Sequence, residues 1–265
     1  MVRFNLITLH TFASGSEGNC LLLSSGSTHI LLDAGISCRR IRGYLQELGL
    51  TLTDLQGVFI THSHSDHVCG LQTLCKSCEI PVYTGTLTGM ALGNSYITPH
   101  IRFIAAGDVL WTGDIKVTAF PTSHDAPGSL DFRFDCGGSV GVLTDTGYVT
   151  DEAAEVLRGV DVLVLESNHD VARLKSGPYP YMLQQRILGD RGHLSNETAA
   201  LFAREMASFG TKHFILAHLS RENNTPELAL SAMEAALEGF TTKIDFAPRC
   251  GVSCAYVAEE LLCRK

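Results

Sequence analysis

The chain has 265 residues, of which 45% are hydrophobic and 18% charged, and its formal net charge is −8. That apolar content is enough for one large α/β domain or two small ones. The acidic balance argues against a broad basic surface for nucleic acid, although it is compatible with a local basic cleft. No apolar run approaches the roughly 20 residues that span a bilayer, so we expect no membrane partner.

Nine cysteines are scattered along the chain, and the first residues lack a charged stretch followed by an apolar one. Reduced thiols in the cytoplasm are the simplest interpretation of both features. Cys75 and Cys78 form a CxxC pair, but Cys250 and Cys254 have a different spacing, so a second zinc-knuckle pair is missing. We therefore expect most of the cysteines to be small buried hydrophobes.

The first half of the chain reads as short strands with one clear helix. Arg39–Leu48 has helical spacing, with Ile41, Leu45 and Leu48 on one face. The predicted strands of this half are Phe4–His10, Cys20–Ser24, Thr28–Asp33, Gly57–Ile60, Pro81–Tyr83 and Ile101–Ala105.

The second half repeats this alternation of strands and helices. Its predicted strands are Ile115–Phe120, Leu130–Cys136, Ser139–Thr144, Val160–Glu166 and His213–Ala217. Helices are predicted over Glu197–Phe209, with Ser195 as its N-cap, and over Pro226–Leu237. No linker separates the halves, which predicts two α/β halves packed on one another as a single domain over residues 1–265.

The segment THSHSDHVCG, residues 61–70, concentrates metal-binding side chains directly after a predicted strand. His62 and His64 are two apart, so on an extended segment both point the same way and can hold one cation. Asp66 and His67 follow as the chain turns into a helix, where they can face a second cation. Imidazole with carboxylate suits Zn²⁺, Mn²⁺ or Fe²⁺ rather than Ca²⁺. A solvated polar loop is the alternative, but it gives no reason for such a density of histidines.

Two metals need more ligands than this segment offers, and three candidates follow other predicted strands. His124 comes after Ile115–Phe120, and Asp145 comes directly after Ser139–Thr144. His218 comes directly after the apolar segment HFILA. Because α/β sites collect at the carboxyl ends of strands, we expect these side chains to converge with the histidine cluster.

Asp33, the cluster at 62–67, His124, Asp145 and His218 resemble the five ordered motifs of the metallo-β-lactamase superfamily, over nearly the whole chain. The resemblance implies an α/β (α+β) fold, a four-layer αββα sandwich with two divalent metal ions at the sheets' edges. It also implies that Asp33 orients the metal ligands. Two ligand sets are implied, with Asp145 bridging them: the first is His62, His64 and His124, and the second is Asp66, His67 and His218.

Further segments resemble one branch of the superfamily. An aspartate at position 145, where familiar zinc β-lactamases carry a cysteine, argues against a true β-lactamase. The segments GSEGN, ESNHD and GHLSN together resemble the WalJ/YycJ-type branch. That resemblance implies a cytoplasmic exonuclease acting on the 5′ ends of DNA. A second segment pattern, GHLSN before HLSR, is similar to the ribonuclease Z family.

The mechanism that this resemblance implies is metal-assisted phosphodiester hydrolysis by a metal-bridging hydroxide. Asp66 and Asp145 are placed to orient the hydroxide. By similarity to ribonuclease Z, His193 would give a proton to the leaving oxygen, and Glu166 would fix its tautomer. A surface histidine at a helix end is the alternative for His193.

Substrate contacts are predicted for Ser14, in the glycine-rich opening segment, and for His169 and Arg221. Arg221, just past His218, is a candidate for binding a phosphate, with a rim salt bridge as its alternative. Tyr148 and Tyr179 are candidates for stacking on a base, with ordinary packing as the alternative.

Two classes of function stay open at this point. The first is an enzyme, either a nuclease acting on DNA or a hydrolase of small phosphodiesters or thioesters with the same fold. The second is a non-catalytic binding module built on that fold. Superfamily relatives that lost activity typically lose ligands, and here every predicted ligand is present.

Overall fold

The structure is a computed structural model that describes residues 6–253 and the backbone of residues 256–257. In this described part of the chain, fourteen strands form two seven-stranded sheets. In the first sheet the strand order is β14-β1-β2-β3-β4-β5-β6. Its strands are β1 Thr8–Ala13, β2 Cys20–Ser25, β3 Thr28–Leu32, β4 Leu55–Ile60, β5 Val82–Gly85, β6 Ile101–Ile104 and β14 Tyr256–Val257.

The second sheet has the order β13-β12-β11-β10-β9-β8-β7. Its strands are β7 Val109–Thr112, β8 Ile115–Pro121, β9 Leu130–Asp135, β10 Ser139–Leu143, β11 Val162–Glu166, β12 His213–Ala217 and β13 Lys243–Phe246. Both sheets are mixed. Strands β3 to β6 and β10 to β13 are parallel, so within each set the carboxyl ends lie at one edge.

Nine α-helices flank the sheets within the described residues. They are α1 Cys38–Glu47, α2 Ser65–Val68, α3 Leu71–Ser77, α4 Thr86–Leu92, α5 Asp151–Leu157, α6 Val171–Ser176, α7 Tyr181–Leu188, α8 Asn196–Ser208 and α9 Pro226–Ala236. Short 3₁₀ turns lie at Leu52–Asp54 and Thr98–His100. No helix in the described part of the chain is both long and apolar enough to cross a membrane.

Three buried apolar clusters show how the layers stack. The central cluster joins the facing sides of both sheets, where Leu23 and Val164 both lie. Their neighbours point the other way, because successive strand side chains alternate between faces. Leu22 packs in a second cluster with α1 and α3, and Leu165 packs in a third with α8 and α9. The order of layers is helix, sheet, sheet, helix, as predicted.

The predicted elements lie close to the observed ones, with shifts at their ends. The strand predicted at Phe4–His10 is observed at Thr8–Ala13, because pairing with β2 continues to Ala13 through a bulge; residues 4 and 5 lie outside the described part. The N-cap prediction for Ser195 is confirmed, since its hydroxyl accepts the Thr198 N–H. The turn into a helix expected at Asp66 and His67 is observed as α2, whereas strands β7, β13 and β14 and helices α3 to α7 were not predicted.

A close backbone contact joins the loop after β3 to the start of α2. A Cβ on Gly35 would lie 1.7 Å from the Asp66 carbonyl oxygen and 2.6 Å from the Asn19 nitrogen. We therefore expect Gly35→Ala to lower the free energy of unfolding by about 1–3 kcal/mol, as overpacking does. Urea unfolding measures this change.

Gly43→Ala is the matched control for that prediction. Gly43 lies inside α1 with nothing within 4 Å of a built Cβ. Glycine inside a helix destabilises the folded protein relative to alanine, so this substitution should raise the free energy of unfolding by about 0.5–1 kcal/mol. Equal stability of Gly35→Ala and the unaltered protein would contradict the close contact.

Candidate metal centre

The predicted ligands lie together at the carboxyl ends of parallel strands from both sheets. In the first sheet, Asp33 follows β3 and the segment 61–67 follows β4. In the second sheet, Asp145 follows β10 and His218 follows β12. His124, a few residues after β8, joins the same group from the antiparallel side. Strand order therefore brings together side chains that are far apart in the sequence.

Three of these residues have unusual backbone angles. Asp33, Asp145 and His218 have φ of 59°, 51° and 53°, and no other non-glycine residue in the described part of the chain has positive φ. This left-handed conformation turns the chain sharply where each strand stops. It costs free energy for residues with a Cβ, and such outliers cluster at functional sites.

The first predicted ligand set has ring nitrogens in close approach. His64 Nδ1 lies 3.2 Å from His62 Nε2 and 3.2 Å from His124 Nε2. Burial lowers the pKa of His62 below its usual range, which keeps its imidazole neutral. Neutral imidazoles that point their nitrogens at one spot form a site suited to a cation.

The second set faces the first across Asp145. Asp66 Oδ2 lies 3.7 Å from His67 Nε2 and 3.8 Å from His218 Nε2. The Asp145 carboxylate lies 3.1 Å from His67 Nε2, 3.5 Å from His218 Nε2 and 4.0 Å from His124 Nε2. It therefore contacts both sets, as the predicted bridging role requires.

The donor atoms fit divalent cations. Asp145 Oδ2 and His218 Nε2 are buried. Neither atom has a hydrogen-bond partner of suitable geometry among the described residues. Buried polar atoms in native proteins are nearly always satisfied, so these two call for a missing partner. Mixed imidazole and carboxylate donors suit divalent transition-metal ions.

Asp33 supports the cluster from behind. Its carboxylate is buried, accepts the Thr61 N–H at 2.9 Å and lies 2.7 Å from His67 Nδ1. Accepting the Nδ1 proton turns His67 Nε2 toward the ligand cluster, where the Asn19 side-chain amide nitrogen also lies 2.9 Å from it. This is the orienting geometry predicted for Asp33.

Glu166 links the ligand cluster to His193. The fully buried carboxylate lies 2.7 Å from His193 Nδ1 and 3.0 Å from His218 Nδ1. Burial disfavours its charged form, yet these imidazoles lower the pKa of Glu166 to about 2. Burial likewise disfavours charged His193, but the Glu166 carboxylate outweighs it and raises the pKa of His193. His193 therefore carries a proton more readily than an ordinary histidine.

Two cavities meet at the ligand cluster. Cavity A, of about 210 Å³, is lined by residues that include Tyr179, Arg186, Arg191 and His193. Cavity B, of about 560 Å³, is lined by residues that include Leu87, Ser123, Tyr148 and Arg191. His124, Asp125 and Arg191 border both cavities. A ligand crossing the cluster can therefore occupy both.

The three predicted substrate residues do not line these cavities. The Ser14 hydroxyl accepts the His218 N–H at 2.8 Å, so Ser14 holds the backbone of a predicted metal-binding residue. Arg221 pairs with Glu17 at 2.9 Å on the exposed surface, which matches its rim salt-bridge alternative. His169 is buried, and neither of its ring nitrogens has a hydrogen-bond partner among the described residues. Burial lowers the pKa of His169 to about 4. Their roles in substrate binding stay predictions.

Residues that the sequence did not single out lie at the cavities instead. Arg186, on α7, forms a hydrogen bond to Asp125 Oδ2 at 2.7 Å, and Asp125 Oδ1 lies 3.5 Å from His64 Nε2. Arg191 is exposed and has no ion pair or hydrogen bond within the described residues. The run Arg186 to Arg191, just before GHLSN, was the available signal, because basic side chains beside a predicted metal site suit phosphate.

No cysteine among the described residues belongs to a group of converging metal-binding side chains. Of the seven described cysteines only Cys20, Cys38 and Cys75 are buried, so the prediction that most are buried is wrong for this part of the chain. Burial raises the pKa of Cys75 to about 12. Cys254 and Cys263 lie outside the described residues.

Comparison with known proteins agrees with the fold. The protein-family model described as "Beta-lactamase superfamily domain" matches residues 28–219. The chain belongs to this superfamily, the class of proteins with the metallo-β-lactamase fold. A solved structure of YhfI from Bacillus subtilis, a metallo-β-lactamase fold protein, superposes with a TM-score of 0.72 at 18% identity, covering 94% of this chain and 99% of that one.

Two relatives are much more similar in sequence. Exodeoxyribonuclease YycJ of Bacillus anthracis is 40% identical over 232 residues, which are 85% of this chain and 87% of the relative. Exodeoxyribonuclease WalJ of Streptococcus pneumoniae is 39% identical over 227 residues, 83% of this chain and 84% of the relative. The predicted branch of the superfamily is confirmed.

Proposed function

We propose that the protein is a cytoplasmic, metal-dependent phosphodiesterase that removes nucleotides from the 5′ ends of DNA, and that residues 1–265 act as one domain. The observation that carries this proposal is the position of His193. Its ring is held by Glu166 beside the predicted ligands and in the wall of a cavity. The choice of DNA is supported by the two relatives named exodeoxyribonucleases.

Seven side chains would hold two divalent cations, Zn²⁺, Mn²⁺ or Fe²⁺. They are His62, His64 and His124 in one set, Asp66, His67 and His218 in the other, and Asp145 between the sets. When bound, such cations neutralise phosphate oxygens and lower the pKa of water.

The protein's own groups position the reactants. Asp66 is partly exposed at the cluster and can orient the attacking water. His193 Nδ1 is engaged by Glu166, which leaves Nε2 to donate a proton to the leaving oxygen. The raised pKa of His193 favours this protonated form. Arg186 and Arg191 supply the local positive charge that an acidic protein needs to bind a phosphate backbone.

Two other functions are compatible with the fold. A hydrolase of small phosphodiesters or thioesters would use the same ligands, and cavity A alone could hold such a substrate. A non-catalytic binding module would not require ligands, a bridging carboxylate and a supported imidazole to converge. The observed convergence of all of them favours an enzyme.

A substrate panel tests the proposal. Zinc-loaded and manganese-loaded protein is assayed on 5′-phosphorylated duplex DNA, single-stranded DNA, RNA, bis-p-nitrophenyl phosphate and lactoylglutathione. We expect turnover of DNA with release of nucleotides from the 5′ end. Turnover of the thioester alone would refute the nuclease function, and no turnover of any substrate would favour the binding module.

A further inference from the structure

Cavities A and B lie on opposite sides of a shared border that contains His124 and Arg191. Cavity B, at about 560 Å³, falls within the roughly 300–1,000 Å³ of small-molecule sites. Cavity A, at about 210 Å³, is smaller than this range, which limits its occupant to at most a single unit of a chain. The two sides of the ligand cluster therefore differ in capacity.

Each cavity has one tyrosine in its wall. Tyr179 is partly buried in cavity A, and Tyr148 is 49% exposed in cavity B. Neither ring stacks on another aromatic ring or a cation within residues 6–253. An aromatic ring in a cavity wall without a stacking partner is the feature with which proteins hold unpaired bases.

The backbone beside Arg191 is held at the border by its neighbours. A Cβ on Gly147 would lie 2.3 Å from the Asp190 backbone, so the Tyr148 loop and the Arg191 loop touch backbone to backbone. The Ser123 hydroxyl also donates a hydrogen bond to the Asp190 carbonyl. Arg186 is engaged by Asp125, whereas the Arg191 guanidinium is free to bind a phosphate.

His193 distinguishes the two sides chemically. It lines cavity A and does not line cavity B. A proton donor must lie within hydrogen-bond reach of the leaving oxygen, so cavity A is the side of the leaving group. During removal of a nucleotide from a 5′ end, the leaving group is the terminal nucleotide, which is the single unit that cavity A can hold.

We propose that the end of a DNA strand crosses the ligand cluster, with its terminal nucleotide in cavity A against Tyr179 and the next nucleotide in cavity B against Tyr148. Arg191 binds the phosphate between them. Water attacks this phosphorus and loses a proton to solvent, the P–O3′ bond breaks, and O3′ takes a proton from His193. The products are a nucleotide with a free 3′-hydroxyl and a strand with a 5′-phosphate. This inference rests on the proposed function.

Binding of an uncleavable dinucleotide tests the assignment. The probe is a 5′-phosphorylated deoxyadenosine dinucleotide in which methylene replaces the bridging 3′-oxygen, and calorimetry measures its Kd for the zinc-loaded full chain. Tyr179→Ala should weaken binding about tenfold or more, and have no effect on a probe that lacks the first base. Tyr148→Ala should also weaken binding about tenfold or more, and have no effect on a probe that lacks the second base.

Two arginine variants complete the experiment. Arg191→Ala should weaken binding of every probe, including one without bases, by about tenfold. Arg102→Ala is the matched control, since Arg102 is exposed on β6 and lines neither cavity. This variant should bind every probe as the unaltered protein does. Swapped effects of the two tyrosines, equal effects on probes with and without bases, or no binding at all would each overturn the inference.

Failure of the proposed function would look different. The oxygen-linked dinucleotide is incubated with the same zinc-loaded protein, and its cleavage is followed by chromatography. Expected binding of the methylene probe without cleavage of the oxygen-linked one would support the two subsites and refute hydrolysis. Cleavage that is insensitive to Tyr148→Ala and Tyr179→Ala would support hydrolysis and refute the subsites.

Discussion

Replacing His64 by alanine should reduce phosphodiester hydrolysis by at least about 10⁴-fold. His64 Nδ1 lies 3.2 Å from both His62 Nε2 and His124 Nε2, so the substitution opens the first ligand set at its centre. A catalytic cation supplies several kcal/mol of charge stabilisation, and each 1.36 kcal/mol is a factor of ten in rate. Initial rates and the metal content per chain should fall together.

His29→Ala is the control for this prediction. His29 lies on β3, and its Nδ1 contacts the Ser24 hydroxyl at 2.8 Å, away from the strand ends that carry the ligands. Rate and metal content should both stay at the level of the unaltered protein. Full activity of His64→Ala with undiminished metal content would rule out the first ligand set.

Replacing His193 by alanine should lower kcat on DNA by about 10²–10⁴-fold, the usual contribution of a positioned acid. The effect should depend on the leaving group. p-Nitrophenolate leaves without a proton, so the loss on bis-p-nitrophenyl phosphate should be smaller than about tenfold. Metal content should change little, because His193 is not one of the seven predicted ligands, although its Nδ1 lies 3.6 Å from Asp145 Oδ1.

Glu166→Gln separates proton donation from support of the ligands. Glu166 also lies 3.0 Å from His218 Nδ1, so this variant should lose metal affinity by about 10–100-fold in addition to rate. Equal losses of His193→Ala on both substrates would argue against proton donation. An unchanged rate on DNA would exclude it.

The strands alone predicted two packed α/β halves and polar residues converging where strands end, whereas the four-layer order and the two ligand sets came from the resemblance to the metallo-β-lactamase superfamily. A strand such as Val162–Glu166, buried along its whole length, can be predicted from its almost wholly apolar composition. The polar residue after such a strand is confined to one edge of the sheet. Asp145 and His218 could therefore be placed near each other without knowledge of any contact between them.

The substrate side could not be predicted in the same way. Helix α7 buries none of its residues, so its apolar side chains do not show which side of the helix faces the site or where Arg186 lies. In the loops the side chains have no fixed period. Ser14, His169 and Arg221 were predicted, whereas the close neighbours Ser16, Asn168 and Ser220 line cavity A. Arg191 depends on a contact between two loops that no local pattern encodes.

The left-handed residues at positions 33, 145 and 218 have a consequence for how this family diverges. Each is held in a backbone conformation that glycine adopts without penalty and asparagine tolerates. Once a descendant no longer binds cations, selection ceases to oppose the relaxed alternatives. Inactive descendants should therefore accumulate glycine or asparagine at these turns before the surrounding strands change, which offers a way to recognise them from genomes alone.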